Sequence, residues 1–189
     1  MDIIEKVRQF VEDECKKPTN KQGFEPFTYH FALVVEYVKE LAKEHDADSE
    51  ILEIAGWMHD IGSIMIGRAD HHITSSKIAE EKLREFGYPE DRIKWVTDTI
   101  YTHRGSQKMK PKTIEGQILI EADAMSAFMN ISGLFRCALV YEELSRHEAA
   151  ESVKRKLQNK WEQLGFPKSK EMMKPYYDAA MLLLNSKYA

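Results

Sequence analysis

Cysteine is nearly absent: Cys15 and Cys137 are the two in 189 residues. They form no CxxC or other metal-ligand spacing and need not pair, which excludes a disulfide framework and a thiolate metal site. An intracellular, reducing setting is the simplest expectation. Long apolar runs are missing too. Nothing approaches the roughly 20 residues a membrane span needs, and Ile118-Leu119-Ile120 is closed at once by Glu121. The opening Met1-Asp2-Ile3-Ile4-Glu5-Lys6 has neither the basic region nor the apolar run of a secretory signal. The expected location is therefore cytoplasmic, with no membrane partner. Basic excess is also lacking, with 27 Lys and Arg against 31 Asp and Glu and a formal charge of −4. Broad nucleic-acid binding usually requires a basic face, so no extended nucleic acid is expected as a partner. A nucleotide substrate remains open, because a few local cations and a metal suffice for one.

What is present is helical periodicity. Six prolines and nine glycines leave long uninterrupted stretches, and 43% of the residues are hydrophobic, enough for a core. Apolar residues recur at spacings of three and four. The pattern predicts helices over residues 2–17, 28–44, 49–62, 70–87 and 90–104. It then predicts a long helical region over 113–146 bent near Gly133, and helices over 148–164 and 168–186. Gly87-Tyr88-Pro89 and Gly165-Phe166-Pro167 are terminators. No β-hairpin signal or repeat is visible. The expectation is a single all-α domain over 1–189, a bundle of about seven or eight helices. Trp57-Met58, Trp95 and Phe128-Met129 read as core.

Polar residues on the inward stripes carry the chemistry. His59-Asp60 ends the apolar string Ala55-Gly56-Trp57-Met58. Alone, such a pair would read as a helix-capping histidine beside a solvated aspartate. Burying an unpaired carboxylate costs several kcal/mol or shifts its pKa, and a divalent cation removes that cost. The anomaly is repeated elsewhere. His30 continues the stripe Val34-Tyr37-Leu41, His103 completes Ile93-Val96-Ile100, and Asp123 shares a face with Ile120, Ala127 and Leu134. Several helices aiming His or Asp inward are most simply explained by metal ligation. Imidazole and carboxylate suit Fe, Mn, Co, Ni or Zn.

The order His30 … His59-Asp60 … Asp123 resembles the HD superfamily of metal-dependent phosphohydrolases, of the small HDIG type. The flanks agree: Tyr29-His30-Phe31-Ala32-Leu33-Val34-Val35, then Ala55 to Gly62, then Pro111-Lys112-Thr113-Ile114-Glu115 leading to Glu121-Ala122-Asp123-Ala124-Met125. The resemblance covers about residues 26–130. It implies a helical bundle with the metal at its centre, held by His30, His59, Asp60 and Asp123. His103 matches a histidine of members that bind two ions. A further ligand should begin the helix near Ser75-Ser76. The family's His-x-x-x-Gly-Ala pattern selects His71, whereas periodicity aligns His72 with Ser76, Ala79, Leu83 and Phe86. With both extra histidines, Asp60 would bridge two ions roughly 3.5–4 Å apart. With one ion, they would instead contact substrate phosphate.

The implied reaction is hydrolysis of a small phosphoester, a nucleotide among the candidates, by water activated on the metal, with Asp60 orienting it; the resemblance covers phosphomonoesterases and phosphodiesterases alike. One departure is Ser63, where many members carry a phosphate-contacting lysine. Arg68, Arg104 and Lys108 are the candidate replacements. Two other readings keep the same residues: a di-iron oxygenase on the HD fold, and a non-catalytic metal-stabilised sensor or binding module. The last two helices, about 148–186, show no recognisable site chemistry. They are free to complete the bundle, shape the pocket or form a homo-oligomer contact.

Overall fold

The computed structural model of the chain describes residues 1–20, 22–104 and 110–186; Lys108 lies outside them. Among the described residues there is no strand, and the all-α expectation is borne out. The elements are α1 (Ile3–Lys16), a π-helical turn (Phe27–Phe31), α2 (Ala32–His45), α3 (Ser49–Met58), α4 (Ile61–Met65), α5 (His71–Glu85) and α6 (Glu90–Thr102). After these come α7 (Ile114–Met129), α8 (Ile131–Arg136), a second π-helical turn (Cys137–Tyr141), α9 (Arg146–Gln163) and α10 (Pro167–Leu184). No single helix among the described residues is long and apolar enough to cross a membrane. The chain forms two compact units, Met1–Ala122 and Asp123–Ala189.

In the first unit α2 packs on α3, α5 on both α4 and α6, and α1 on α3 and α4. The stripes read from the sequence supply its core: Val7 and Val11 from α1, Val34, Val38 and Leu41 from α2, and Ile93, Val96 and Ile100 from α6, all essentially inaccessible. α3 is apolar nearly all round, and Ile51, Leu52, Ile54, Ala55 and Met58 are fully buried. Such a helix must run through the interior. The Asp48 carboxylate caps it by accepting from the Ile51 N–H at 3.0 Å.

Three boundaries depart from the periodic reading. The helix expected over 49–62 is interrupted at His59-Asp60, because Asp60 takes a non-helical backbone (φ −113°, ψ 12°) before α4 begins. Helix 28–44 starts instead as a π-helical turn, in which the Ala32 N–H reaches back to the Phe27 carbonyl. The bend placed near Gly133 falls at Asn130, whose side chain accepts from the Gly133 N–H at 3.1 Å. A Cβ on Gly133 would lie 2.5 Å from that side chain, so the glycine permits the cap.

The second unit holds α8, α9 and α10. Ser145 and Glu148 form a reciprocal capping box, which starts α9 at Arg146 rather than 148. Phe128, Trp161 and Tyr177 cluster there, with the Trp161 and Tyr177 rings stacked at 4.6 Å. Met129 is exposed, so it leaves the core group to which the sequence assigned it.

Glu115, 4% exposed, joins α7 to two other elements of the first unit. One oxygen accepts from the Asp48 N–H at 3.2 Å and the other from the Trp95 indole N–H at 3.3 Å. Removing a charged acceptor leaves buried donors unsatisfied. Glu115→Ala is expected to cost about 1–3 kcal/mol, read from urea unfolding followed by tryptophan fluorescence. A change of only a few tenths would show that these contacts contribute little.

Candidate metal centre

Four histidines of the first unit converge on Asp60. His30 Nε2 lies 3.4 Å from Asp60 Oδ2, while His71 Nε2 and His103 Nε2 lie 3.2 and 3.5 Å from Oδ1. His59 joins through its Nε2, 3.0 Å from that of His30. The ligand atoms form two groups, His30-His59-Asp60 and Asp60-His71-His103, each with all atoms within 4.8 Å of one another. Asp60 belongs to both.

The local backbone explains the convergence. In a continuous helix neighbouring side chains diverge by about 100°. The break at Asp60 instead lets two consecutive residues enter one cluster. His30 sits in the π-helical turn, whose entry is fixed by Phe27, stacked on Phe24 at 5.2 Å and on Trp57 at 5.3 Å. His71 is the first residue of α5, and His103 follows the last residue of α6.

Three of the rings are locked in the same way. Nδ1 of His59, His71 and His103 lies 2.8, 3.0 and 2.5 Å from the carbonyls of Gly56, Arg68 and Ile100. A carbonyl only accepts, so each Nδ1 carries a proton and donates. In a neutral ring, Nε2 then presents a lone pair toward the carboxylate. This arrangement of backbone-bonded imidazoles is typical of metal ligands. Asp60 Oδ1 is a buried atom with no hydrogen-bond partner, despite the two histidine nitrogens near it. Distance without hydrogen-bond geometry, lone pairs facing a carboxylate and an orphaned buried oxygen together fit a divalent cation.

Burial alone would raise the Asp60 pKa, but His59, then His103, His30 and His71, outweigh it and hold the carboxyl well below its ordinary range. The cluster has a closed floor and an open side. His59 and His103 are 0% and 2% exposed, whereas the side chains of His30, His71 and Asp60 are 22%, 18% and 26% exposed. A ligand can approach from that side.

His71, not His72, faces Asp60. His72 is buried on the core stripe with Ser75, Ala79 and Leu83. Its ring lies 5.6 Å from that of Tyr101, and its Nδ1 lies 3.5 Å from the Arg104 guanidinium. Burial, then the nearby Arg104, lower its pKa, which favours the neutral ring. Arg104 also approaches Asp70 at 3.5 Å. Arg68 is exposed and gives its carbonyl to His71. Ser63, at the position of the missing lysine, contributes its own carbonyl to Gln22 at 3.3 Å.

Asp123 opens the second unit, where its Oδ2 accepts from Lys160 Nζ at 2.5 Å. Nothing in the spacing of α9 marks Lys160, since solvated lysines recur along it. Sequence reasoning also missed Ser75, whose hydroxyl accepts from the Gly62 N–H at 2.9 Å.

A family model described as HD domain matches residues 27–127. No curated protein matches. Among solved structures, Bacillus subtilis YpgQ in complex with ADP is 19% identical with a TM-score of 0.71, over 95% of this chain and 89% of that one. An HD-superfamily hydrolase from Bacillus thuringiensis is 18% identical with a TM-score of 0.71, over 96% and 92%. A predicted HD superfamily hydrolase from an uncultured Thermotogales bacterium is 21% identical with a TM-score of 0.52, over 82% and 83%. These three likenesses bear on the fold.

Gly62 ties α4 to α5 at the point where His71 begins. A Cβ there would lie 2.1 Å from Thr74 Oγ1, 2.8 Å from Ser75 N and 3.0 Å from the His71 carbonyl. Two of these are backbone atoms, so α5 would have to move. Gly62→Ala is expected to cost about 1–3 kcal/mol, as overpacking does, and to lower metal affinity. Urea midpoints and metal titration check it; wild-type values for both would contradict the close approach.

Proposed function

Because the chain belongs to the HD-domain family, we propose that it is a metal-dependent phosphohydrolase acting on a small phosphoester, with nucleotides the favoured class. The observation that carries the reading is the paired ligand set around Asp60, with its orphaned Oδ1 and three backbone-locked imidazoles. The donor set is nitrogen and oxygen without sulfur, which suits Mn, Fe, Co, Ni or Zn. His30 and His59 with Asp60 would hold one ion, and His71 and His103 with the same Asp60 a second. Asp123 is proposed as a further ligand from its position in the motif. Bound there, a divalent cation supplies Lewis acidity that makes hydroxide available near neutral pH and offsets charge on phosphoryl oxygens.

The chain's own residues do the rest. The carbonyls of Gly56, Arg68 and Ile100 fix the imidazole tautomers, so that Nε2 is presented for binding without a prior proton loss. Asp60, shared by both groups, sets the spacing between them. Arg104 is the described cation of the first unit placed beside the His71-His72 pair, and it is proposed to meet the substrate phosphate; Arg68 and Lys108 remain proposals from the sequence. That YpgQ was seen with ADP supports a nucleoside phosphate as the first substrate class to try.

Elemental analysis of the purified protein, with phosphate release from a nucleotide and phosphoester panel under added Mn, Co, Ni, Mg or Fe, tests the reading. Two ions per chain with turnover are expected. His59→Ala and Asp60→Asn should each lose metal and reduce turnover by at least about a hundredfold, more than loss of an outer partner does. A metal-loaded, active double variant would falsify the assignment. Two irons with oxygen consumption and no phosphate release would replace hydrolysis by oxidation. A stably folded metal-free chain without turnover would leave a binding module.

A further inference from the structure

His72 links the metal centre to two side chains that the ligand set does not use. Its ring lies 6.0 Å from that of the ligand His71 and 5.6 Å from that of Tyr101. The His72 ring is buried, at 3% exposed, and its Nδ1 lies 3.5 Å from Arg104 Nη1. A guanidinium only donates, so the imidazole accepts where the two meet. Asp70 Oδ1 approaches the same Nη1 at 3.5 Å. Both contacts use one nitrogen, which leaves Nη2 and Nε of Arg104 without a partner among the described residues. Tyr101 is 43% exposed. An exposed tyrosine means little by itself. This one shares a buried neighbour with an open guanidinium edge, and that neighbour adjoins a metal ligand.

We propose that Tyr101 is the base-stacking residue of this enzyme, and that the nucleoside of its substrate lies over the His71-His103 ligand group with Arg104 on a phosphate. The proposal deepens the phosphohydrolase reading and rests on it. The three features match the parts of a nucleotide. An ion and a guanidinium fork take phosphoryl oxygens, and a planar aromatic face takes a base, whichever base it is. A base-free phosphoester would leave the ring unused. His72 is a positioning residue, because its buried ring touches both partners and keeps ring and guanidinium in a fixed relation. Tyr29, 56% exposed beside His30, is the counterpart at the other ligand group. Among the described residues Tyr29 has no ring or cation contact, so that side lacks the paired arrangement. Tyr101 is thus a specificity residue for the base, and it fixes which way round the substrate lies.

The test uses the full chain loaded with Mn²⁺ and two probes that differ in the base. These are the methylenephosphonate analogues of AMP and of ribose 5-phosphate, whose P–C bond resists hydrolysis. Calorimetric affinity, metal content and melting temperature are measured for wild type, Tyr101→Phe, Tyr101→Leu and Tyr29→Leu. Wild type should bind the nucleoside probe at least about fivefold more tightly than the ribose probe, as stacking of one base on one ring does. Tyr101→Leu should lose most of that preference while keeping its manganese and its affinity for the ribose probe. Tyr101→Phe and Tyr29→Leu should keep the preference. Equal loss of both probes in Tyr101→Leu would overturn the proposal, because Tyr101 would then only support His72 and Arg104. So would an unchanged preference in Tyr101→Leu, or its loss in Tyr29→Leu instead. A manganese-loaded wild type that binds both probes alike, or neither, overturns the proposal and leaves the phosphohydrolase reading standing. A wild type that takes up no manganese overturns that reading, and the proposal with it.

Discussion

A carboxylate ringed by imidazole lone pairs needs positive charge among them, and this requirement at Asp60 organises the first unit. Four histidines bring their Nε2 atoms toward it, three of them with Nδ1 already committed to a carbonyl. Without a cation, the arrangement sets lone pairs against a negative oxygen in a partly dry site, where electrostatic costs are amplified. A divalent ion relieves it for both ligand groups together.

The fold meets that requirement by using helix ends. Each α-helix leaves its last four carbonyls without an intrahelical partner. Gly56 falls within that group in α3 and Ile100 within that group in α6. Those carbonyls accept the Nδ1 protons of His59 and His103, three residues on. One feature of helix geometry therefore supplies an acceptor near each ring and selects an imidazole tautomer, and the Ile100 carbonyl does so while also accepting the His103 N–H at 3.2 Å. His71 uses the Arg68 carbonyl just before α5, and His30 occupies a π-helical turn, a local widening often found at functional sites. A cluster built inside uninterrupted helices would lack carbonyls placed in this way.

The same geometry explains what the sequence could reveal. Stripes at spacings of three and four placed His30 and His103 on buried faces, because their helices carry those residues in phase with Val34 or Ile100. The resemblance to a known ligand order then tied them to His59-Asp60. Periodicity failed at His71 and His72. His72 is in phase with Ala79 and Leu83 because it belongs to the core, while His71 lies off the stripe and faces Asp60 from the start of α5. A buried stripe reports packing, and a ligand at a helix end need not follow it. The break at Asp60 and the π-helical turn at Phe27 likewise carry no signal in hydrophobic spacing, since both depend on backbone conformation. The Lys160–Asp123 ion pair was unreadable for another reason: it joins residues 37 positions apart in sequence.

Metal binding and folding should therefore be coupled in this protein. A preformed, repulsive ligand cluster weakens the metal-free fold, and ligation returns that free energy when the ion enters. The interactions holding the cluster open are local and buried. Gly62 allows α4 to approach α5, the Ser75 hydroxyl satisfies its N–H, and the closed floor of His59 and His103 is packed into the core. These contacts do not depend on the ion. The ligand nitrogens can then stay near their working positions while the central charge is exchanged, which is what a reusable metal centre requires.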